Sequence, residues 1–150
     1  MTIIEQAQNI AADIFKELGN EQDEVTYKNA FEVACQLDKL KYQRELDLPI
    51  YYRDHIVGRG QADFVLYSDI TLAIEVKAVS SWGDTIPPTN VSQLKNYMRS
   101  LNTKYGLLIN FPQAGTSCKK QAVETPEFFV VDLDKFIQEH TGVYTSEGKQ

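Results

Sequence analysis

The sequence predicts a single α/β domain, residues 1–150, in which helices flank a mixed sheet. Two amphipathic helical patterns open the chain, and three strand patterns separated by short turns follow them. A further helix then precedes an almost continuously apolar strand, which is typical of a crossover to a buried parallel neighbour. A length of 150 residues allows one sizeable core. We expect that core over about residues 18–132, with a polar tail at 145–150.

The period of the apolar residues places each element. Steps of three and four predict helices, and alternation predicts strands. Gly19-Asn20 stops the first helix, Pro49 indicates an edge or a bulge, and Arg53-Asp54-His55 forms a turn. The expected helices cover 3–18, 23–40, 89–101 and 132–140, and the expected strands cover 42–52, 56–57 with its continuation 62–67, 72–79, 106–111 and 127–131.

The acidic balance of the chain speaks against a general nucleic-acid coat. There are 15 Lys and Arg against 21 Asp and Glu, a net charge of −6, whereas phosphate binding relies on bases. The charges are segregated, however, because residues 1–38 hold eight acids and two bases while 95–120 hold five bases and no acid. This asymmetry is compatible with ordinary solvated charge or with a basic face. The candidate phosphate contacts are Lys95, Arg99, Lys119 and Lys120, with Arg53 and Arg59.

Several classes of protein are disfavoured by what the sequence lacks. It contains no apolar run of 18 residues and its N-terminus carries acids, so we expect an intracellular protein, cytoplasmic or nuclear, with no membrane partner. Cys35 and Cys118 belong to no CxxC pattern and are expected to be reduced thiols. Neither His55 nor His140 has a motif partner, and no Gly-rich phosphate loop, GxSxG or HExxH occurs.

The most informative local feature is Glu75-Val76-Lys77 within a predicted strand. A period of two directs the carboxylate and the ammonium to one face, about 7 Å apart at the backbone. If the preceding strand pairs through the turn at Ser68-Asp69, Asp63 lies beside Glu75. Adjacent carboxylates repel each other unless a cation intervenes, and their oxygens suit Mg²⁺ or Mn²⁺. A surface strand of alternating charge is the alternative explanation.

Two helices add candidates of lower specificity. Gln93 and Tyr97 lie four residues apart and therefore share a helix face, as do Lys95 and Arg99. Taken alone, that helix is a solvated face with packed apolar residues. Glu24 taken alone is typical of the first turn of a helix, where acids are favoured.

Together these segments resemble the PD-(D/E)XK nuclease superfamily and, within it, the GxxExxR family. The resemblance spans about residues 18–112. The matching segments, in order, are Leu18-Gly19 to Glu24 and Tyr27, 44–52, Gly58, Ala62-Asp63, 75–78, 93–97 and 106–111.

The resemblance implies a restriction-endonuclease-like fold with an αβββαβ core and a metal site at the split between central strands. Asp63, Glu75 and the Val76 carbonyl would then bind Mg²⁺, and Lys77 would be the catalytic lysine. Glu24 would reach the metal from its helix, and Gln93 would complete the site.

The expected activity is metal-dependent hydrolysis of phosphodiester bonds, with DNA as the expected nucleic acid and a homodimer allowed. A catalytically inactive relative that binds nucleic acid or protein is the alternative. The sequence differs from the family's pattern at Glu21, which replaces a glycine, and at Lys28-Asn29, which replaces an acid-rich stretch. We expect these residues on the helix surface.

Overall fold

The structure is a computed structural model that describes residues 1–114 and 125–134. Two helices, three strands, one helix and two strands follow one another in the predicted order. They are α1 (Ile3–Leu18), α2 (Glu24–Leu37), β1 (Lys41–Tyr52), β2 (His55–Tyr67), β3 (Thr71–Lys77), α3 (Pro88–Leu101), β4 (Tyr105–Asn110) and β5 (Glu127–Asp132).

The five strands form one mixed sheet in the order β1-β2-β3-β4-β5. Strands β3 and β4 are parallel, because α3 carries the chain back across the sheet between them, and the other three pairs are antiparallel. The predicted α/β class and mixed sheet are therefore confirmed.

Helices cover both faces of the sheet. On one face α1 and α2 pack against fully buried residues of the central strands, including Phe64, Ile74 and Ile109. On the other face α3 buries Leu94 and Met98 against Ala73 and Leu108. Residues 106–110 are all buried, as their continuous apolar run predicts for a strand that is covered on both sides.

Two predicted boundaries extend too far. Helix α2 ends at Leu37 and not at residue 40, because Asp38 caps it and Lys39 adopts a left-handed φ of 57°. Strand β3 ends at Lys77 and not at Val79, whose backbone N–H donates to Asn110 Oδ1, a side-chain oxygen.

The β1–β2 hairpin is longer than predicted. Its turn consists of Arg53-Asp54, and His55, which was predicted in the turn, begins β2 and pairs with Tyr52. Positive φ at both turn residues matches the twist of the strands. Gly60 does not interrupt β2, which runs unbroken to Tyr67. A Cβ on Gly60 would lie 2.8 Å from Tyr97 Cε1, so this glycine permits close packing of α3. Pro49 lies on the edge strand, beside a register shift, as predicted.

Some predictions fall outside the described residues. These include Cys118, Lys119, Lys120 and most of the expected terminal helix, of which Leu133-Asp134 are seen. Cys35 is a free, buried thiol, and burial raises its pKa to about 12. Within residues 1–114 and 125–134, no helix is long and apolar enough to cross a membrane.

Candidate active site

The sheet divides at the level of Asp63 and Glu75. Backbone pairing between β2 and β3 runs from Tyr67–Thr71 to Phe64–Ile74. Beyond Phe64–Ile74, in the described part of the chain, β2 remains paired with β1 and β3 remains paired with β4. Asp63 and Glu75 are therefore the first residues beyond the point where the central strands separate. Beyond this point side chains, and not backbone pairing, connect the two strands, and we call the region between them the cleft.

Side chains connect the two strands where their ladder stops. The backbone N–H of Asp63 donates to Glu75 Oε1 at 3.1 Å, and the backbone N–H of Val76 donates to Asp63 Oδ2 at 2.7 Å. Each strand thus holds the carboxylate of the other. This reciprocal arrangement brings Asp63 and Glu75 together.

A backbone irregularity in β1 accompanies the division. The β1–β2 ladder pairs Arg44 with Phe64 and Leu46 with Ala62, and between them Glu45 has a φ of 53°. A left-handed backbone is uncommon for a glutamate and indicates a local constraint. It directs the Glu45 carboxylate to Lys28, whose Nζ lies 3.4 Å from Glu45 Oε2.

Lys28 belongs to this site, so the expectation that it lies on the helix surface is wrong. It is 8% exposed, and its Nζ lies 3.3 Å from Asp63 Oδ1 and 3.7 Å from Glu24 Oε2. The sequence holds a signal for this placement. Lys28 precedes Phe31 by three residues and Cys35 by seven, which puts it on the buried face of α2.

Burial and charge strongly perturb Glu75, which is 5% exposed. Burial, followed by the negative charge of Asp63, raises the pKa of Glu75 to about 8, against the opposing effects of the Asp63 N–H, Lys77 and Lys28. Burial also lowers the pKa of Lys28, but the ion pairs with Asp63, Glu24 and Glu45 outweigh that effect and the net pKa is raised. Perturbed groups of this kind cluster at functional sites.

The other predicted site residues lie at different distances from the pair. Lys77 ends β3, and its charge acts on Glu75. Glu24 begins α2. Its carboxylate is 42% exposed and is connected to Asp63 through the ammonium of Lys28. Gln93 is exposed on α3, one turn before Tyr97.

Tyr97, which shares a helix face with the candidate Gln93 but received no role in the predicted site, also lies near the carboxylates. It is 7% exposed, and it packs with Ala62 and Val65 of β2. Burial, and then the charge of Glu75, raises the pKa of Tyr97. The helix face that Tyr97 shares with Gln93 was the feature of the sequence that could have predicted its place near Glu75.

A second network, centred on Asn110, fixes the chain that leaves β3. Asn110 is fully buried, and its Nδ2 donates to Glu127 Oε1 at 2.9 Å and to the Val79 carbonyl at 3.3 Å. Glu127 also accepts from Ser81 Oγ at 2.6 Å and from the Trp82 N–H at 2.9 Å. The loop after Lys77 is therefore held against β4 and β5. Single-sequence reasoning missed both Asn110 and Glu127 as positioning residues.

The fully buried Tyr27 positions the segment that leads into α2, where Glu24 is the first residue. Its hydroxyl donates to the Gly19 carbonyl at 2.5 Å and accepts from the Gln22 N–H at 3.3 Å. Its ring stacks on Phe111 with centroids 4.3 Å apart. The start of α2 is thus anchored to the end of β4.

The donor set fits a small divalent cation. Across residues 1–114 and 125–134, no three His, Cys, Asp or Glu side chains converge as a metal cluster. The two carboxylates at the split of the sheet are those of Asp63 and Glu75, each of which accepts a hydrogen bond from the backbone of the other strand. Mg²⁺ is commonly held by one or two carboxylates together with water and substrate phosphates, and this pair meets that need. Ligation by Asp63, Glu75, the Val76 carbonyl and Glu24 remains a prediction.

The described basic residues lie on helix α3 and on the β1–β2 hairpin at the edge of the sheet. Arg99 is exposed on α3, which also carries Lys95. Arg53 and Arg59 are exposed on the β1–β2 hairpin, where the Arg53 guanidinium lies 5.2 Å from the centroid of the Tyr52 ring. Since α3 packs against β1 and β2 around Leu48 and Ala62, the two elements are neighbours. Contact of these residues with phosphate remains a prediction.

Comparison with known proteins now decides the family. A sequence profile of the PD-(D/E)XK nuclease superfamily matches residues 1–122. The chain belongs to this superfamily. Among solved structures, the chain is similar to the crystal structure of SSO0001, with a TM-score of 0.51 and 12% identity over 83% of the chain.

That similarity concerns the fold alone. The aligned region is 59% of the SSO0001 chain, so the PD-(D/E)XK chain described here spans less than two thirds of its structural relative. No curated protein matches the sequence.

Proposed function

We propose that the protein is a nuclease that uses Mg²⁺ or Mn²⁺ to hydrolyse phosphodiester bonds in nucleic acid, with DNA as its substrate. One observation carries the proposal. At the split of the sheet, the reciprocal hydrogen bonds of Asp63 and Glu75 gather two carboxylates, and Lys77 follows Glu75 by one strand period. Membership of the superfamily supports nuclease-type chemistry at this position.

In this proposal each residue has a distinct role. Asp63 and Glu75 hold the metal, with the Val76 carbonyl and Glu24 as further ligands. When bound, the metal polarises the phosphate and promotes formation of the nucleophile from water. The Lys77 ammonium orients the attacking water and stabilises negative charge that develops on the phosphate. Gln93 completes the site from α3.

The substrate would extend over the basic elements. Lys95 and Arg99, with Arg53 and Arg59, would contact phosphates beside the cleft, and Lys119 and Lys120 would add to them. For duplex DNA, each neutralised phosphate contributes about −0.9 to the slope of log affinity against log salt. Membership of the GxxExxR family and a homodimer also remain predictions.

One observation favours the alternative, a catalytically inactive binding module. The Lys28 ammonium already contacts Asp63 at 3.3 Å, so a positive charge lies at one of the proposed ligands. A binding module with this arrangement would keep the fold and the basic surface without cutting.

A cleavage assay with three variants separates the two functions. We expect the native protein to cut single-stranded, double-stranded or branched DNA when Mg²⁺ or Mn²⁺ is added, with RNA assayed beside it, and the metal to raise its melting temperature. At 100 times its dissociation constant, a ligand stabilises the folded form by about 2.7 kcal/mol. Glu75→Ala should lose both responses. Lys77→Ala should keep the thermal response and lose cleavage, and Lys16→Ala, an exposed site on α1, should behave as the native protein.

Each contrary result has a definite meaning. If neither metal shifts the melting temperature and no substrate is cut, the binding module is correct. If Lys77→Ala cuts at the native rate, the role given to Lys77 is wrong even though the fold is right. If binding is insensitive to salt, or unchanged by reversing the charges of Lys95 and Arg99 together, the proposed phosphate contacts are wrong.

A further inference from the structure

Lys28 is a buried cation surrounded by carboxylates from three elements. Its Nζ lies within 3.3–3.7 Å of oxygens from Asp63 on β2, Glu45 on β1 and Glu24 on α2. The Lys28 side chain lies on the buried face of α2, so its ammonium reaches the cleft from the face of the sheet that α1 and α2 cover.

Of the three carboxylates around Lys28, that of Asp63 needs a counter-charge in the folded protein, whereas those of Glu24 and Glu45 are 42% and 47% exposed. Asp63 is 14% exposed at its side chain and adjoins the still more buried Glu75, so its negative charge is poorly solvated. A buried charge persists when an opposite charge or hydrogen bonds compensate for lost hydration. Glu45 adopts a left-handed backbone beside this ammonium, which indicates that the surrounding structure maintains the arrangement.

We propose that the Lys28 ammonium is a tethered cation of the acidic site, which neutralises Asp63 in the metal-free protein and competes with the divalent metal for that carboxylate. The inference rests on the proposed function in taking Asp63 as a metal ligand. Two positive charges that draw on one carboxylate oppose each other, because each weakens the attraction that the other experiences. Lys28 would therefore set the metal affinity low and keep the empty site folded.

Metal binding to the whole protein tests this inference without reference to cleavage. We would titrate Mn²⁺ by isothermal calorimetry and by the electron paramagnetic resonance of the free ion. Lys28→Met removes the charge and retains much of the stem, and Lys28→Gln provides a second neutral variant if the first fails to fold. Lys28→Arg keeps the charge at the same position. Lys16→Met removes one charge from an exposed position on α1.

The neutral variants should bind Mn²⁺ about tenfold more tightly than the native protein, within the usual range of coupling between two sites. Without metal they should melt at a lower temperature, because the acids lose their counter-ion, and Mn²⁺ should reverse this loss. Lys28→Arg and Lys16→Met should bind as the native protein does.

Unchanged or weaker binding by both neutral variants would overturn the inference, and it would leave the metal site and the proposed nuclease intact. Absence of Mn²⁺ binding to native and neutral proteins alike would overturn both proposals. Tighter binding by the neutral variants without cleavage by any protein would support the role of Lys28 while the nuclease proposal fails.

Discussion

Replacement of Glu75 by glutamine tests the electrostatics of the site directly. The folded protein binds the Glu75 proton more tightly than the unfolded chain does, because burial and Asp63 raise the pKa from 4.5 to about 8. The stabilisation is complete below pH 4.5 and is lost as the pH rises to about 8. Each tenfold change in proton affinity is worth about 1.4 kcal/mol, so the loss is on the order of 5 kcal/mol.

Glu75→Gln should remove this dependence. Glutamine keeps an oxygen that can accept from the Asp63 N–H and carries no charge to bury. We expect the two proteins to have similar free energies of unfolding at pH 5. At pH 9, with metal removed by a chelator, the variant should be more stable by several kcal/mol, up to about 5 kcal/mol.

Urea unfolding at intervals from pH 5 to pH 9, followed by the fluorescence of the buried Trp82, measures the free energy of unfolding of each protein. Among the described residues, the other resolved shifts lower the pKa of carboxyl groups and raise the pKa of lysine, tyrosine and cysteine side chains, so the difference between Glu75→Gln and the native protein across this window reports on Glu75. Glu17→Gln, an exposed site on α1, is the matched control. An equal decline in stability for Glu75→Gln and the native protein would refute the reasoning.

Three further predictions concern the metal, the core and the loop after β3. Metal affinity should rise about tenfold per pH unit between pH 6 and pH 8, because Glu75 must lose its proton to act as a ligand; calorimetry that shows no pH dependence contradicts this. Gly106→Ala should lower the free energy of unfolding in urea by about 1–3 kcal/mol, because its Cβ would lie 2.6 Å from Met98 Sδ and 3.0 Å from Leu94. An unchanged urea midpoint would contradict this, because it would show that the neighbouring side chains move aside at no cost. Asn110→Ala should cost about 1–3 kcal/mol of stability by leaving partly buried partners such as the Glu127 carboxylate with fewer hydrogen bonds. An effect within about 0.5 kcal/mol would show that the network is dispensable.

The strand pair at the centre of the site could be predicted because its geometry is local. Asp63 and Glu75 are twelve residues apart, and a short turn joins their strands, so the alternating pattern and the turn together determine the register. The same reasoning identified Lys77 beside them. The helix boundaries were less accurate, since Asp38 and Lys39 end α2 through backbone geometry that the apolar period does not report.

The sequence by itself therefore determined the order of the elements, the mixed sheet and the pairing of Asp63 with Glu75. Only the tertiary structure decided that Lys28, 35 residues before Asp63, would enter the cleft, and that Tyr97 would approach it from α3. These contacts depend on how the helical layers dock on the sheet. Docking follows from the packing of many side chains at once, whereas periodicity reports which face of each element is buried and not which neighbour covers it.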